Sequence, residues 1–205
     1  MKKIINEPTQ VVDEMLQGLS FMHDDLVERL DGFDVIVRKA EKTGKVGLIS
    51  GGGSGHEPSH AGFVGDGMLS AAICGAVFTS PTPDQILEAI KVADEGAGVF
   101  MVIKNYSGDI MNFEIAQELA EMEGIDVASV VVDDDIAVEN SLYTQGRRGV
   151  AGTILVHKIL GDVARSGKSL SEMKDLADKL VLEIKTIGLA LSGATVPEVG
   201  KPGFV

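Results

Sequence analysis

The sequence predicts an α/β fold, a layered domain with a largely parallel or mixed central sheet flanked by helices. Short runs of β-branched residues alternate with longer amphipathic stretches, which is the order expected when helices cover a mainly parallel sheet. Several of the short runs are apolar without alternation, as in strands that are buried on both faces. The 25 glycines suit tight turns between strands and helices.

Six strands and six helices are predicted. The strands lie at 35–37, 46–50, 69–73, 99–103, 127–132 and 187–191, and the helices at 8–19, 24–30, 83–94, 112–123, 150–166 and 170–185. Thr82 before Pro83, and Ser169 three residues before Glu172, are typical of helix starts.

We expect residues 1–191 to form one α/β domain. Residues 192–205 contain turn residues without an element to pack against, and we expect them to begin a connection to a second domain that this chain lacks.

Composition excludes several classes of protein. The net charge is −13, whereas nucleic-acid binding requires clustered Lys and Arg that neutralise phosphates. The same charge repels anionic substrates, but a neutral small molecule meets no such barrier. Cys74 is the single cysteine, which rules out an intrachain disulfide, and its apolar neighbours indicate a buried side chain. No signal peptide or membrane-spanning run is recognisable, so we expect a cytoplasmic protein without membrane contact.

A glycine-rich loop follows the second predicted strand. Residues 50–58 read Ser-Gly-Gly-Gly-Ser-Gly-His-Glu-Pro, and a helix is predicted to begin near Pro58. Ligands usually bind at the carboxyl ends of strands in open α/β sheets, and glycines let the backbone approach a ligand closely. His56 adds an imidazole that titrates near neutral pH. The alternative is a turn in which this histidine makes only local hydrogen bonds.

Three familiar motifs do not explain this loop. Its glycines match neither the dinucleotide pattern G-x-G-x-x-G nor the phosphate-binding pattern G-x-x-x-x-G-K-[ST]. Residues 56–60 (His-Glu-Pro-Ser-His) match the zinc motif H-E-x-x-H, which requires both histidines on one face of a helix. Glycines before His56 and Pro58 between the two histidines argue against such a helix, and no third ligand is evident. We therefore expect no metal site.

A second polar segment follows the predicted strand at 99–103. It reads Lys-Asn-Tyr-Ser-Gly-Asp at 104–109 and should lie at the same edge of the sheet as the glycine loop. Lys104 is placed to hold a carbonyl or phosphoryl oxygen. Asp109 and His56 are candidates for an acid/base pair, in which the carboxylate supports an imidazolium or the substrate hydroxyl. Asp109 also precedes a predicted helix, and an N-cap role is the better explanation of this residue taken alone.

Other charged groups give weaker signals. The three consecutive aspartates at 133–135 cannot all face one Mg²⁺ ion, so a solvated loop is the better interpretation, with the first or last aspartate capping a helix. Arg147 and Arg148 either bind an anion at a helix N-terminus or offset local acidity. No partner can be named for two remaining histidines, His23 and His157.

Five ordered blocks resemble the dihydroxyacetone kinase K-subunit family. They are the glycine loop at 51–58, Thr-Ser-Pro-Thr-Pro at 79–83, Lys-Asn-Tyr-Ser-Gly-Asp at 104–109, the aspartates at 133–135 and Ser-Leu-Tyr-Thr-Gln-Gly-Arg-Arg-Gly at 141–149. The similarity runs from Lys2 to Pro202, which is nearly the whole chain. Five blocks in order are far more specific than any single loop.

The resemblance implies a function and a set of site residues. The chain would bind dihydroxyacetone and position it for phosphorylation to dihydroxyacetone phosphate. The substrate would be contacted by Gly53, Ser54, His56, Lys104 and Asp109. His56 and Asp109 would be the catalytic residues, with His56 as the base on the hydroxyl that becomes phosphorylated.

The resemblance also implies partners. ADP or ATP with Mg²⁺ would be carried by an L subunit rather than by this chain, and in bacterial members a phosphotransferase-system M subunit would recharge it from phosphoenolpyruvate. Other members use free ATP through a fused L domain. A homodimer is a further expectation. Family members continue into a region with another histidine that binds the substrate carbonyl covalently, so we expect this chain alone to be inactive. The alternative function is a dihydroxyacetone-sensing relative that co-activates a transcriptional regulator.

Overall fold

The computed structural model describes residues 3–137, 139 and 146–203. Their strands are β1 (Val27–Arg29), β2 (Val35–Arg38), β3 (Gly47–Ser54), β4 (Ala71–Val77), β5 (Val99–Lys104) and β6 (Val127–Val132). Their α-helices are α1 (Val11–Met22), α2 (Pro83–Ala93), α3 (Ser107–Met122), α4 (Thr153–Arg165) and α5 (Leu170–Glu183). Short 3₁₀ helices lie at Pro8–Gln10 and Ala61–Phe63. No helix in these ranges is long and apolar enough to cross a membrane.

The strands form one six-stranded sheet in the order β1-β2-β4-β3-β5-β6. Strands β4, β3, β5 and β6 run parallel, whereas β2 pairs antiparallel with β4, and β1 pairs antiparallel with β2. The predicted α/β fold with a largely parallel or mixed sheet is therefore confirmed. The antiparallel strands lie at one edge, where a hairpin extends the sheet without a crossover helix.

Helices cover both faces of the sheet and bury two separate apolar clusters. On one face, α2 and α3 pack against side chains that include Ile49 and Met101. On the other face, α1, α4 and α5 pack against side chains that include Leu48 and Val102. Neighbouring residues of one strand thus point into different clusters. This burial on both faces explains why the central strands read as unbroken apolar runs.

The predicted helix at 24–30 is wrong. The chain turns after α1, and Val27–Arg29 forms the edge strand β1. Pairing with β2 buries Val27 and lets Arg29 form an ion pair of 2.5 Å with Asp34. These contacts with a neighbouring strand outweigh the helical spacing of the local sequence.

The predicted strand at 187–191 is also wrong. These residues form no strand, and the side chains of Leu189 and Leu191 are 90% and 95% exposed. Just before them, Thr186 makes a single bridge with Asp135, beyond the end of β6. A strand requires a continuous partner edge for its backbone groups, and this bridge does not continue. The remaining predicted strands and helices are confirmed with shifted ends.

The middle aspartate of the run at 133–135 fixes the start of α4. Asp134 is 1% exposed, and its carboxylate accepts hydrogen bonds of 2.8 Å from Val150 N and from Gly152 N. It also accepts a short hydrogen bond from Thr186 Oγ1. Gly152 is the N-cap of α4, so the carboxylate satisfies one N–H group at the helix start and one in the turn that leads into it. The expected solvated loop, capped by its first or last aspartate, is therefore wrong.

Asp134→Ala is expected to lower the free energy of unfolding by about 2–4 kcal/mol, because two N–H groups at the start of α4 lose their acceptor. Chemical denaturation followed by circular dichroism measures this change. Asp133→Ala is the matched control, since Asp133 is partly exposed and pairs with Arg147 at 3.3 Å. An ion pair of that kind contributes about 1 kcal/mol or less. Equal losses in the two variants would contradict the capping role of Asp134.

Candidate active site

The loops that follow β3 and β5 open a crevice at one edge of the sheet. The two strands are parallel neighbours, with Gly47 opposite Val99 and Ser50 opposite Val102, so both end at the same edge. From β3 the chain continues to β4 on one side, and from β5 it continues through α3 to β6 on the other. Connections that leave neighbouring strands in opposite directions create the usual ligand-binding position of open α/β sheets.

A cleft of about 750 Å³ lies at this crevice. It is lined by Gly53, His56, Phe78, Ser80, Lys104, Tyr106, Ser107, Gly108 and Asp109. Four of the five residues expected from the sequence to bind substrate therefore line one cleft. Sequence reasoning does not single out Phe78, Ser80 or Tyr106. The sequence indicates these residues only indirectly, because they lie within or beside the blocks at 79–83 and 104–109 that resemble the family.

The glycine loop carries His56 to the mouth of the cleft without forming a helix. Gly55 has a φ of +116°, a conformation that glycine adopts without strain, and its N–H donates to the Glu57 carboxylate at 3.0 Å. Turns follow, and the first helical residues are those of the 3₁₀ helix Ala61–Phe63. The helix expected near Pro58 is therefore wrong. In the described part of the chain, no group of three or more His, Cys, Asp or Glu side chains is arranged to hold a metal ion.

Lys104 and His56 form the central polar contact of the cleft. Lys104 Nζ lies 2.7 Å from His56 Nε2, and an ammonium group can only donate in such a contact. His56 is therefore the acceptor, with Nε2 unprotonated. Burial and the nearby Lys104 charge lower the pKa of His56, which favours this neutral form. Burial also lowers the pKa of Lys104, while the Asp109 carboxylate raises it.

Asp109 lies in the first turn of α3 and reaches the cleft. The helix begins at Ser107, with Tyr106 at the capping position, so the N-cap explanation of Asp109 is wrong. Asp109 is 4% exposed. Burial raises the pKa of its carboxyl, whereas a hydrogen bond with Ser80 and the charge of Lys104 lower it. Its Oδ1 atom is buried and has no hydrogen-bond partner among the described residues.

Gly52 lies beside both Lys104 and Asp109. A Cβ atom added to Gly52 would lie 3.3 Å from Lys104 Nζ and 3.5 Å from Asp109 Oδ2, so both side chains approach this glycine. The ring of Tyr106 lies with its centre 5.6 Å from the same ammonium group, at a distance where an aromatic face attracts a cation. The acid/base pairing expected for His56 and Asp109 stays a prediction.

Ser54 lies apart from these groups. Its hydroxyl donates to Gly75 O at 2.7 Å, and its side chain is buried. It lines a separate cavity of about 340 Å³ beside α1 and residues 193–197. Ser54 therefore ties the end of β3 to β4, and its contact with substrate stays a prediction.

The partner of His157 is a residue that sequence reasoning misses. His157 on α4 and His60 after the glycine loop are 0% and 2% exposed, and His157 Nε2 lies 3.0 Å from His60 Nδ1. Burial lowers the pKa of His157 to about 3 and lowers that of His60 well below its usual value, so both rings are neutral. The two histidines are 97 positions apart, and no sequence pattern indicates a contact over that separation.

The block at 141–149 is only partly described, since 141–145 lie outside the described residues. Arg147 forms an ion pair with Asp133 at 3.3 Å. Its backbone carbonyl accepts a hydrogen bond of 2.6 Å from Asn105 Nδ2. Of the two alternatives for this arginine, offsetting local acidity is the one that the geometry shows.

Comparison with known families identifies the fold that carries this cleft. The family model described as the Dak1 domain matches residues 17–205. The chain belongs to the Dak1 domain family. The resemblance expected from the five sequence blocks is therefore confirmed for the family.

Relatives match this chain over its whole length but are longer. The PTS-dependent dihydroxyacetone kinase, dihydroxyacetone-binding subunit DhaK of Lactococcus lactis is 72% identical over 204 residues, which are 100% of this chain and 61% of that protein. The PEP-dependent counterpart of Escherichia coli is 52% identical over 100% of this chain and 57% of that protein. The chain thus spans less than two thirds of the length of these Dak1 relatives.

Solved structures show the same fold. The native form of the dihydroxyacetone kinase of C. freundii has 38% sequence identity and a TM-score of 0.89, covering 96% of this chain and 36% of that chain. A protein described as the dihydroxyacetone kinase operon co-activator Dha-DhaQ has 42% identity and a TM-score of 0.87, covering 98% of this chain and 60% of that chain. Kinase and co-activator thus share the architecture of this Dak1 chain.

Gly53→Ala is expected to destabilise the protein, whereas Gly52→Ala is expected to disturb only the cleft. A Cβ at Gly53 would lie 2.5 Å from Thr79 N, a backbone atom with little freedom to move, and overpacking of this kind costs about 1–3 kcal/mol. A Cβ at Gly52 meets the flexible end of Lys104 at 3.3 Å, which can shift. Thermal unfolding should show a lower Tm for Gly53→Ala alone. Equal decreases in Tm would contradict this difference.

Proposed function

We propose that this chain is the dihydroxyacetone-binding part of a dihydroxyacetone kinase subunit, a phosphotransferase component that positions dihydroxyacetone for phosphorylation to dihydroxyacetone phosphate. The observation that carries the proposal is the 2.7 Å contact between Lys104 Nζ and unprotonated His56 Nε2 in a cleft at two strand ends. This contact places a cation and a base side by side. The names of the relatives in L. lactis and E. coli support the same substrate.

A small neutral ketose suits the charge and the polar groups of the cleft. The chain carries a net charge of −13 and repels free anions at long range, whereas a neutral triose meets no such barrier. Dihydroxyacetone offers a carbonyl group and hydroxyl groups. Lys104 is a donor for an oxygen atom, and the carboxylate of Asp109, which lines the same cleft, is an acceptor. Gly53 lines the same cleft, and its backbone would contact the ligand there.

His56 is suited to accept the proton of the attacking hydroxyl. Its Nε2 atom already accepts a hydrogen bond from Lys104, and its lowered pKa keeps the ring neutral near pH 7. A substrate hydroxyl that replaces Lys104 as donor would point its hydrogen at the same nitrogen. As the hydroxyl oxygen bonds to phosphorus, its proton moves to His56, and the bond between phosphorus and the nucleotide oxygen breaks.

Lys104 and Asp109 would hold the substrate and balance its developing charge. Once displaced from His56, the ammonium group of Lys104 can donate to the carbonyl oxygen of the substrate or to the phosphoryl group in transfer. Asp109 would accept a hydrogen bond from the substrate. Burial lowers the pKa of Lys104, and the Asp109 carboxylate opposes this shift, which favours the charged ammonium group.

The phosphoryl group would be delivered by a partner protein. In this proposal an L subunit carries a nucleotide, ADP or ATP, with Mg²⁺. The ATP form would give up its phosphoryl group and become ADP, and a phosphotransferase-system M subunit would convert the ADP back to ATP. The words PTS-dependent and PEP-dependent in the names of the relatives support such a route.

The proposal includes a homodimer of the complete subunit. It also includes a connection at 192–205 to a further region, because the relatives extend beyond the part that this chain matches. For the chain alone we expect weak substrate binding and little turnover.

A second candidate function is a dihydroxyacetone sensor that co-activates a transcriptional regulator. The observation that favours it is the structural match to the co-activator DhaQ, with a TM-score of 0.87 and 42% identity. A sensor requires the substrate contacts but no base, so turnover separates the two functions. The 72% identity to the L. lactis kinase subunit supports the catalytic candidate.

His56→Ala is expected to lower turnover by about 10²–10⁴-fold, the usual loss when a general base is removed. The assay measures dihydroxyacetone phosphate formed by the full-length subunit with an L subunit and its phosphoryl donor, and calorimetry measures dihydroxyacetone binding. His23→Ala, at the exposed end of α1, is the matched control and should keep normal turnover. Unchanged turnover in His56→Ala would refute the catalytic role, and wild-type binding without turnover would favour the sensor.

Lys104→Met is expected to weaken dihydroxyacetone binding and to move the acid limb of the kcat/KM profile to higher pH. Neutral His56 is the active form, so kcat/KM falls as the pH drops through its pKa. Burial is the main cause that lowers the pKa of His56, and the charge of Lys104 is the second. Removal of the Lys104 charge therefore lets the pKa of His56 rise. Profiles measured from about pH 5 to 8 test the shift. Lys91→Met, on the surface of α2, controls for the loss of a charge and should leave the acid limb in place.

An acid limb of Lys104→Met that stays in place, or moves to lower pH, would contradict the assignment of His56 as the titrating base beside Lys104.

A further inference from the structure

Three histidines form a continuous row from the cleft into the core. The rings of His56 and His60 meet edge to face with centroids 5.6 Å apart, and the rings of His60 and His157 have centroids 5.2 Å apart. His60 Nδ1 lies 3.0 Å from His157 Nε2 and 3.4 Å from Ser50 Oγ. The glycine loop is therefore connected to α4 through side chains, in addition to its backbone connection with β3.

The hydrogen bonds of this row determine which nitrogen atoms carry hydrogen. Ser50 Oγ donates its single hydrogen to Val102 O at 2.6 Å, so toward His60 it can only accept. His60 and His157 are neutral, because burial lowers the pKa of each ring. With its hydrogen on Nδ1, His60 donates toward both Ser50 Oγ and His157 Nε2, which is the tautomer that satisfies both contacts. In this tautomer the Nε2 atom of His157 is an acceptor.

A buried pair of imidazoles is a costly way to fill a core. Apolar side chains of similar size would fill the same space, whereas His60 Nε2 and His157 Nδ1 have no partner among the described residues, and unpaired polar atoms reduce stability. What a hydrogen-bonded pair adds is a defined orientation of both rings. The orientation of His60 matters to the site, because the His56 ring packs against it.

We propose that His157 of α4 is a positioning residue for His56 and acts through His60. The acceptor nitrogen of His157 holds the His60 ring, and the His60 ring holds the imidazole of His56 where its Nε2 meets Lys104 Nζ. Neither His60 nor His157 lines the cleft, so neither touches the substrate. The inference rests on the proposed function, in which His56 is the base.

The groups around His56 determine the direction of the expected change. Burial is the largest cause that lowers the pKa of His56, and the Lys104 charge from β5 is the next. Glu57 in the same loop raises it, as do hydrogen bonds with the backbone of His56 and Ser59. Asp109 on α3 acts on the charge of Lys104, and His60 faces His56 as a neutral ring. When His60 loses its support on α4, His56 becomes more hydrated and its pKa rises.

His157→Phe tests the inference, because phenylalanine keeps a ring of similar size and removes the acceptor nitrogen. One readout is the NMR titration of His56 in the chain, and the other is the pH profile of kcat and KM in the full-length subunit with its L subunit. We expect the titration and the acid limb to move to higher pH. We also expect kcat to fall by about tenfold or more with little change in KM, since small displacements of a catalytic group have effects of this order. His157→Gln, whose Oε1 can accept in place of Nε2, should restore wild-type behaviour.

Two further variants separate positioning from a general loss of stability. Val156→Ala removes buried volume from the same helix and should lower the Tm while leaving the His56 titration unchanged. Ser50→Ala removes the second acceptor of His60 and should move the titration in the same direction as His157→Phe but by less. Ser50→Ala also provides the test where His157→Phe does not fold.

A His56 titration that matches wild type in both His157→Phe and Ser50→Ala overturns the inference, even where His56→Ala is inactive. A shift of equal size in Val156→Ala overturns it too, because loss of packing on α4 would then explain the change. Normal turnover in His56→Ala refutes the proposed function instead, and the NMR titration still decides whether His157 positions the ring of His56.

Discussion

The parallel pairing of β3 with β5 is the constraint on which the rest of the site depends. Ser50 lies opposite Val102, so two residues later Gly52 and Lys104 lie side by side at the end of the sheet. Gly52 lets the Lys104 side chain lie close to the backbone of β3, since an added Cβ would be 3.3 Å from Lys104 Nζ. Because side chains alternate along a strand, a slip of one residue would turn Lys104 to the opposite face. The pairing register therefore determines where the cation of the cleft lies.

The position of that cation explains the electrostatics of the cleft. Lys104 is 8% exposed, and a buried charge is stable only with partners. The carboxylate of Asp109 supplies the opposite charge, and His56 Nε2 supplies a lone pair at 2.7 Å. Burial lowers the pKa of Lys104 and raises that of Asp109, and the charge of each group opposes the shift of the other. A ligand oxygen that replaces His56 as a partner of Lys104 leaves this balance intact and frees the imidazole to act on the ligand.

Most of the fold and much of the cleft were predictable from sequence because they depend on local patterns. Apolar runs marked the buried strands, and polar residues directly after two of them marked His56, Lys104 and Asp109, since parallel strand ends meet at one edge. The family resemblance added to this geometry the proposal that the ligand is dihydroxyacetone. Gly53 follows the same logic, because it lies at the end of its strand. These residues required no knowledge of contacts between distant segments.

The parts that sequence reasoning missed depend on such contacts. The segment at 24–30 has helical spacing, but its strand β1 pairs with β2. Asp134 accepts hydrogen bonds from Val150 N and Gly152 N, which lie 16 and 18 positions later at the start of α4. The hydroxyl of Ser54 turns toward Gly75, where the register between β3 and β4 shifts after Gly53. Local irregularity of this kind leaves no trace in the alternation of residues along a strand.

The glycine loop is held in place by contacts with the sheet and with a helix that packs on it. Glycines allow a close approach to a ligand, but they also give the loop more conformational freedom than other residues would. Ser54 restrains the loop at its start through the carbonyl of Gly75, and His60 restrains its end through His157 of α4. Asp109 approaches from α3, on the opposite face of the sheet. The groups around Lys104 therefore keep their geometry only while both apolar clusters hold their helices in place, which makes the packing of the core a condition for the chemistry of the cleft.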